Sequence, residues 1–576
     1  MNDGGRTNHS SASAGPPVRD RFIIHHSSFI IHHSLTLIDQ LNNILRSLGG
    51  FGPELWLSAA FCGLLLAELL LLRSDRRQAR RFLAAMSILA VGVASVWAVL
   101  TPVRGFLFMR LLFVDNQAIY FQVVIALGAV FVLLYEVFTS PQPLSHGEGL
   151  MPDADVAPLL FLRRRGLGRS ECRTTDDSVR SGLPLEWYSI LVAMTLGLFL
   201  MTLSVNLLSV YLSIELVSIC SYLLTALTAD RKASEGGIKY LLFGAVSSAV
   251  MLYGMSLLYG MTGTLDLTAD AFGAELARQD AAVATVAVLL TLAGLLFKLA
   301  GVPFHVWTPD AYEAAPVPVA AFFSVAPKAA AVLVLMRIVT ALPIETAGAG
   351  ATSDGATASG LQTPLAVLAL AGILIGNLSA LRQTDAKRLL AYSTIAHAGF
   401  LLVGVAALSE AGFEAVLFYA GTYLFMSLAA FFLIDLLARS QSSTLIISEF
   451  AGLGPKQPLL SVALTIIMLA LTGLPPTVGF TAKLLSFSAL YGAYQRSADP
   501  WLLALFVLGL LNALISLVYY LKIPFLLFFR PTPVRAEPLA EVRLPAAAVW
   551  LSVGLVVPVV GLFLKPDWLL SLIAGW

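Results

Sequence analysis

The sequence predicts an all-α polytopic membrane protein of about 14 transmembrane helices, and three observations carry that expectation. Of 576 residues, 58% are hydrophobic and only 12% charged, against a charged share of about 25% in water-soluble chains, and the mean hydropathy is +0.82. Apolar stretches long enough to cross about 30 Å of hydrocarbon, roughly 20 residues each, recur along almost the whole chain. Lys and Arg collect in alternate connections between those stretches, as the positive-inside rule requires of a multi-span protein.

The expected spans lie near 53–72, 82–100, 117–138, 185–203, 205–227, 236–260, 283–301, 316–340, 363–382, 389–408, 413–437, 459–484, 499–528 and 545–568. Counting basic residues in alternate loops gives roughly 22 against 5. One set holds Arg73 to Arg81, the cluster from Arg163 to Arg180, Arg231, Lys232, Lys387, Arg388 and the later Lys522 and Arg530. The other holds Arg104, Arg110, Arg278, Arg496 and Lys565. The richer set is expected to be cytoplasmic. An even number of spans then puts both termini on the periplasmic side of a bacterial inner membrane.

The remaining composition narrows the function classes. A formal charge of +1 implies no nucleic-acid partner. Cys62, Cys172 and Cys220 are far apart and lack metal-ligand spacing, so no iron–sulfur cluster, zinc site or disulfide framework is expected. Phe22 to Ser27 is echoed by Phe29 to Ser34, and the paired histidines read as a tandem low-complexity repeat in preference to metal ligands. No cleavable signal peptide is evident, so insertion relies on the spans. The expected organisation is a low-complexity extension at 1–50, three helices at 51–139 and a cytoplasmic insertion loop at 140–184. Two five-helix units follow at 185–345 and 346–530, and a final helix lies within 531–576.

Two spans are interrupted. In the seventh, Phe297-Lys298-Leu299-Ala300-Gly301-Val302-Pro303-Phe304-His305 places Gly and Pro directly after a lysine, and in the twelfth Gly473-Leu474-Pro475-Pro476 precedes Lys483. Proline removes a backbone donor and clashes with the preceding turn, so Pro303, Pro475 and Pro476 should break both helices at membrane depth. Broken backbone is tolerated there only where protein or a water-filled cavity satisfies it. Corresponding breaks in two halves predict inverted five-helix repeats, spans 4–8 and 9–13, each with one discontinuous helix.

Charge inside the spans supplies the candidate chemistry. Glu215 lies mid-span in the fifth, and Lys239, Lys298, Lys328 and Lys483 lie in the sixth, seventh, eighth and twelfth. A lysine at a helix centre costs about 2.5–3.5 kcal/mol on insertion scales, so each needs a partner or a function. An amine taken out of water holds its proton less firmly, and a nearby carboxylate restores the hold. A Glu–Lys pair is therefore a tunable proton store, and a row of such groups joined by polar residues is what a proton relay needs. Tyr392, Ser393, Thr394 and His397 of the tenth span are candidate links between Lys328 and Lys483, and His305 is a candidate link from Lys298 to the cytoplasm. Plainer readings stand beside these: snorkelling or a helix-locking ion pair for Lys239, helix packing for His397, and capping of a broken helix for His305. Glu54, Glu136, Glu414 and Asp435 are expected at the interface, Glu68 against another helix or subunit, and Arg337 snorkelling at the end of the eighth span.

Four stretches carry a family resemblance: Lys239 to Ala245 running on to Gly263-Thr264, Phe297 to Glu313, Asp385 to Gly399, and Gly473 to Lys483. Through them the chain resembles subunit N of the respiratory NADH-quinone oxidoreductase (complex I), an antiporter-like subunit, over about residues 50–570. The resemblance implies proton conduction from cytoplasm to periplasm alongside other membrane subunits. It also implies that NADH, FMN, iron–sulfur clusters and quinone belong to partner subunits, with no cofactor in this chain. By matching position, Glu215 and Lys239 would be an input pair, Lys298 the central carrier, Lys328 the connector and Lys483 the residue facing the exit. Where the family reads Glu-Gly-x-Pro-Thr-Pro, this chain has Glu313-Ala314-Ala315-Pro316-Val317-Pro318, which removes a hydroxyl near the break. A sodium/proton antiporter or membrane-bound hydrogenase subunit is an alternative within transport, and a structural scaffold with helix-locking ion pairs is an alternative outside it.

Overall fold

The computed structural model describes residues 41–71, 75–140, 183–342, 356–440, 444–531 and 544–574. The tandem repeat at 22–34, Cys172 and the Arg163–Arg165 run lie outside the described residues. Among those described, thirteen helices are long and apolar enough to cross a membrane.

After helical residues 41–50 come helices α1 (Gly52–Leu71), α2 (Arg76–Leu100) and α3 (Asn116–Thr139). Between α2 and α3 lies a two-stranded antiparallel hairpin that hydropathy did not predict, β1 (Gly105–Leu107) and β2 (Leu112–Val114). It turns through Phe108, Met109 and Arg110, all at positive φ. The first repeat comprises α4 (Glu186–Leu203), α5 (Leu207–Thr225), α6 (Arg231–Thr262), a short connecting α7 (Asp270–Ala277), α8 (Ala281–Leu299), α9 (Trp307–Ala314) and α10 (Val317–Ala341). The second comprises α11 (Ala356–Ala380), α12 (Ala386–Ala406), α13 (Glu410–Arg439), α14 (Pro458–Thr472), α15 (Val478–Ser497) and α16 (Pro500–Phe529). α17 (Ala546–Gly554) and α18 (Val556–Leu564) form the last apolar span, and α19 (Asp567–Ala574) follows. At 15 residues α14 is too short to cross alone. With α15 it takes the place of the expected twelfth span.

Span starts are fixed by polar caps. Asp230 accepts from the Ala233 amide at 2.7 Å and Asp385 from the Arg388 amide at 3.0 Å, satisfying first-turn donors that no intrahelical carbonyl reaches. α10 is wholly interior, and α12 and α13 nearly so, while α1, α6 and α16 turn most of their surface outward. Lipid is as apolar as leucine, so helices associate through close packing. The α11–α12 contact shows this: a Cβ on Gly399 would lie 2.8 Å from the Ile373 amide nitrogen, and one on Gly376 would lie 2.9 Å from the Ala396 Cα.

The repeat is written in the backbone. Asn206, the residue before α5, forms an antiparallel bridge with Asp266, and Asp385, the residue before α12, forms one with Ile446. In the first, Leu207 donates to the Leu265 carbonyl at 2.9 Å and Leu267 to Val205 at 3.1 Å; in the second, Ala386 donates to Leu445 at 2.9 Å and Ile447 to Thr384 at 2.8 Å. The two clasps occupy the same place in each five-span unit. An odd number of crossings separates them, so they lie at opposite faces of the membrane, which is the inverted topology.

Several charges sit differently from expectation. Arg337 does not snorkel: it forms a two-pronged pair with Asp115, both contacts 2.9 Å, and donates to the Thr202 and Ser204 carbonyls. Glu54, Glu136 and Asp435 lie near span ends but are buried. Gln122 donates to Glu54 at 2.9 Å, Tyr188 to Glu136 at 2.6 Å and Tyr135 to Asp435 at 2.6 Å. Hydropathy places a carboxylate by depth and does not see a donor arriving from a distant helix. Glu414 is exposed, as expected of an interfacial group.

Candidate functional site

Both proline-rich segments break their helices by the same local geometry. At the end of α8, Ala300 adopts φ 58° and the Gly301 amide reaches back to the Leu296 carbonyl at 2.7 Å. At the end of α14, Gly473 adopts φ 89° and the Leu474 amide reaches Leu469 at 3.1 Å. A left-handed residue with a bond back across the last turn is the usual helix stop, and glycine meets it without a Cβ clash. Pro303, Pro475 and Pro476 lie just beyond these stops, exposed on the flank of the chain.

Lys298 precedes the first stop by two residues and is 2% exposed. Its ammonium lies 5.4 Å from the Tyr240 and Phe297 ring centres and 5.7 Å from that of Tyr222, and it makes no hydrogen bond to the protein. Glu215, half-buried on α5, is within electrostatic reach of Lys298, and its buried Oε1 is also unbonded. Three more buried polar atoms without a partner lie along the broken span: His305 Nδ1, Thr308 Oγ1 and Tyr312 Oη. Buried polar atoms are ordinarily satisfied by protein or by ordered water.

Lys239 lies elsewhere. Its ammonium contacts Glu235 at 2.9 Å and Asp310 at 3.0 Å, and its side chain is 42% exposed. Arg388 contacts Asp310 at 2.9 Å and also pairs with Glu313, which in turn meets Lys232 at 2.7 Å. Lys387 donates to the Glu313 and Ala315 carbonyls at 2.7 and 3.0 Å. Lys239 therefore pairs with Glu235 and Asp310, and Glu215, which makes no ion pair with it among the described residues, lies within electrostatic reach of Lys298. Asp310, Glu313 and Arg388 are not among the site residues of the sequence reading, although all three lie inside the stretches that carry the family resemblance.

In the second half, Lys328 is buried and donates to the Thr394 carbonyl at 2.7 Å. Tyr423 donates to the Thr394 hydroxyl at 3.2 Å, and the Tyr423 ring lies 4.8 Å from that of His397. His397 Nδ1 is 2.7 Å from the Tyr419 hydroxyl and Nε2 is 3.1 Å from that of Tyr520. Lys483 donates to the Leu471 and Thr472 carbonyls at 3.1 and 2.6 Å and lies 4.4 Å from the centre of Phe400. Those carbonyls end α14, where unpaired oxygens and the helix dipole both favour a cation. Tyr392 is half-buried against the apolar core and sits apart from this network. Tyr419, Tyr423 and Tyr520 were missed because an aromatic residue in an apolar span gives no sign of where its hydroxyl points. Among the described residues no cluster of His, Cys, Asp and Glu is arranged to hold a metal.

Comparison with known proteins gives the family. The family described as NADH:quinone oxidoreductase/Mrp antiporter, transmembrane, matches residues 204–515. NADH-quinone oxidoreductase subunit N 2 of Chloroherpeton thalassium is 35% identical over 520 residues, covering 90% of this chain and 92% of that one. A chain of respiratory complex I from Thermus thermophilus superposes with a TM-score of 0.68 at 28% identity, over 90% of this chain and 98% of that one. A chain of the Mrp complex from Dietzia sp. shares the fold, with a TM-score of 0.69 at 20% identity over 91% of this chain and 96% of that one. The chain belongs to the NADH:quinone oxidoreductase/Mrp antiporter family and, within it, to the subunit N group of NADH-quinone oxidoreductase.

Proposed function

We propose that this chain works in the membrane arm of a bacterial NADH-quinone oxidoreductase and conducts protons from cytoplasm to periplasm while partner subunits oxidise NADH and reduce quinone. NADH, FMN, iron–sulfur clusters and quinone are assigned to those partners, and the other membrane subunits and the lipid bilayer are its neighbours. The observation that carries the reading is Lys298, buried beside a helix break with an unbonded ammonium and the Glu215 carboxylate in electrostatic reach. A lysine that only locks helices would be held by a protein acceptor, and the Lys298 ammonium makes no such bond.

The contacts support an order of stations. Glu215 sets the charge balance at Lys298, and His305, Thr308 and Tyr312 line the approach along the broken span. Lys328 receives next, with Thr394, Tyr423 and His397 bridging toward Lys483. Lys483, seated on the carbonyls that end α14, is the last station. Loops rich in Lys and Arg assign the cytoplasmic face, with both termini periplasmic.

Replacing Lys298 with alanine in the assembled complex tests this reading. Proton uptake into inverted membrane vesicles should fall at least about tenfold, within the range removed with a proton-transfer group, while the amount of assembled complex is retained. Normal proton uptake by assembled K298A complex overturns it. The fold shared with the Mrp chain favours one second reading, a subunit of a sodium/proton antiporter. Sodium-driven proton movement without NADH oxidation would favour that instead.

A further inference from the structure

We infer that Asp310 is a positioning residue shared by the two repeats, through which Arg388 of the second repeat sets the partner of Lys239 and the seat of the half-helix α9 in the first. The inference rests on the proton-conducting reading and adds a device to it.

One carboxylate oxygen of Asp310 takes Lys239 and the other takes Arg388. Arg388 also holds Glu313 one turn further along α9, and its neighbour Lys387 donates to the Glu313 and Ala315 carbonyls at the end of that helix. Two adjacent residues in the first turn of α12 therefore grip α9 by its acidic face and by its carboxyl end, where unpaired carbonyls accept a cation. From the opposite side α6 lies directly on α9: a Cβ on Gly236 would collide with Ala314 Cβ and approach the Asp310 carbonyl to 3.3 Å. At its other end α9 is tied toward Lys298, because Trp307 donates to the Phe297 carbonyl at 3.2 Å. Trp307 also stacks on Tyr240, ring centres 3.9 Å apart and planes 5° from parallel. Tyr240 in turn lines the Lys298 pocket. α9 is thus a strut whose far end is held by the second repeat.

Lys239 has a second carboxylate within reach, Glu235 one turn back on its own helix. It can lean on Glu235 when Arg388 draws Asp310 away and share Asp310 when Arg388 relaxes. These groups are partly exposed, with side-chain exposures of 42% for Lys239, 32% for Asp310 and 30% for Arg388. Ion pairs in that setting are individually weak and exchange at low cost. Cheap exchange suits a contact that changes partner during turnover; a lock calls for something stronger.

The test uses the assembled complex in membranes and reads NADH:quinone turnover and proton uptake per complex. Asp310→Asn should lower both about fivefold or more, and Asp310→Glu should recover to within about twofold of wild type, because it keeps the charge. Lys239→Gln and Arg388→Gln act through one shared carboxylate, so the double variant should fall at least about threefold short of the product of the single effects. A double variant equal to that product, or wild-type turnover in D310N, overturns the inference. If D310N fails to assemble, the Lys239/Arg388 cycle and D310E decide. Loss of activity in K298A with a multiplicative cycle removes this inference alone, whereas normal pumping in K298A removes the functional reading beneath it.

Discussion

Trp307 donates its indole N–H to the Phe297 carbonyl across 3.2 Å, so the residue immediately before Lys298 is held by the half-helix on the far side of the break. Trp307→Phe keeps the aromatic stack and deletes that bond. A buried hydrogen bond contributes about 1 kcal/mol net, which corresponds to about a fivefold effect. Proton uptake by W307F membranes should drop by about that factor with assembly unchanged, and an unaltered rate would show that the tie has no part in turnover.

Glu215 lies within electrostatic reach of Lys298, while Lys239 contacts Glu235 and Asp310. A double-mutant cycle on turnover should therefore show coupling of about 1 kcal/mol or more for Glu215→Gln with Lys298→Arg, and additivity within about 0.5 kcal/mol for Glu215→Gln with Lys239→Gln. The reverse ranking would restore Glu215 and Lys239 as the interacting pair.

His397 has a tyrosine hydroxyl on each ring nitrogen. His397→Phe deletes its bonds to the Tyr419 and Tyr520 hydroxyls, at a cost of about 1 kcal/mol each. The variant complex should unfold at lower temperature, and Tyr419→Phe should cost less because it removes a single hydroxyl. Differential scanning fluorimetry of the purified complex measures both. Equal midpoints for wild type and H397F would contradict the assignment.

Arg337 and Asp115 form a largely buried two-pronged pair joining α10 to the start of α3. Removing one partner of a buried pair costs about 3–5 kcal/mol, because the other charge stays behind. Asp115→Asn should sharply reduce assembled complex on a native gel, and Asp115→Asn with Arg337→Met should recover part of it. A gel showing D115N at wild-type abundance would rule out a structural role for the pair.

Much of the architecture was legible because hydropathy, loop charge and proline are local signals. Pro303, Pro475 and Pro476 announced both breaks, and Lys298, Lys328 and Lys483 declared themselves by their rarity in apolar spans. Partners were not legible. Whether Glu215 faces Lys298 or Lys239 depends on how α5, α6 and α8 are turned, and near-uniform apolar helices carry little record of rotation. Lys387 and Arg388 illustrate the limit in another way: counted as loop charges, they gave orientation, yet their contacts lie on a half-helix of the other repeat. Arg337 was read as an end-of-span snorkel for want of any sign that Asp115, far back in the chain, stands opposite it.

The two clasps that close the repeats are made by amides and carbonyls of Leu207, Leu265, Val205 and Leu267 at one face, and of Ala386, Leu445, Thr384 and Ile447 at the other. No side chain is needed for these bonds, so the two segments are free to diverge in sequence while keeping their shape. Their vulnerability is to proline and to changes of length, since Leu267→Pro or Ile447→Pro would delete a donor outright. Two stretches that share little side-chain identity can in this way keep the signature of a common design, and it is read from tolerance to insertion and proline, not from identity of side chains.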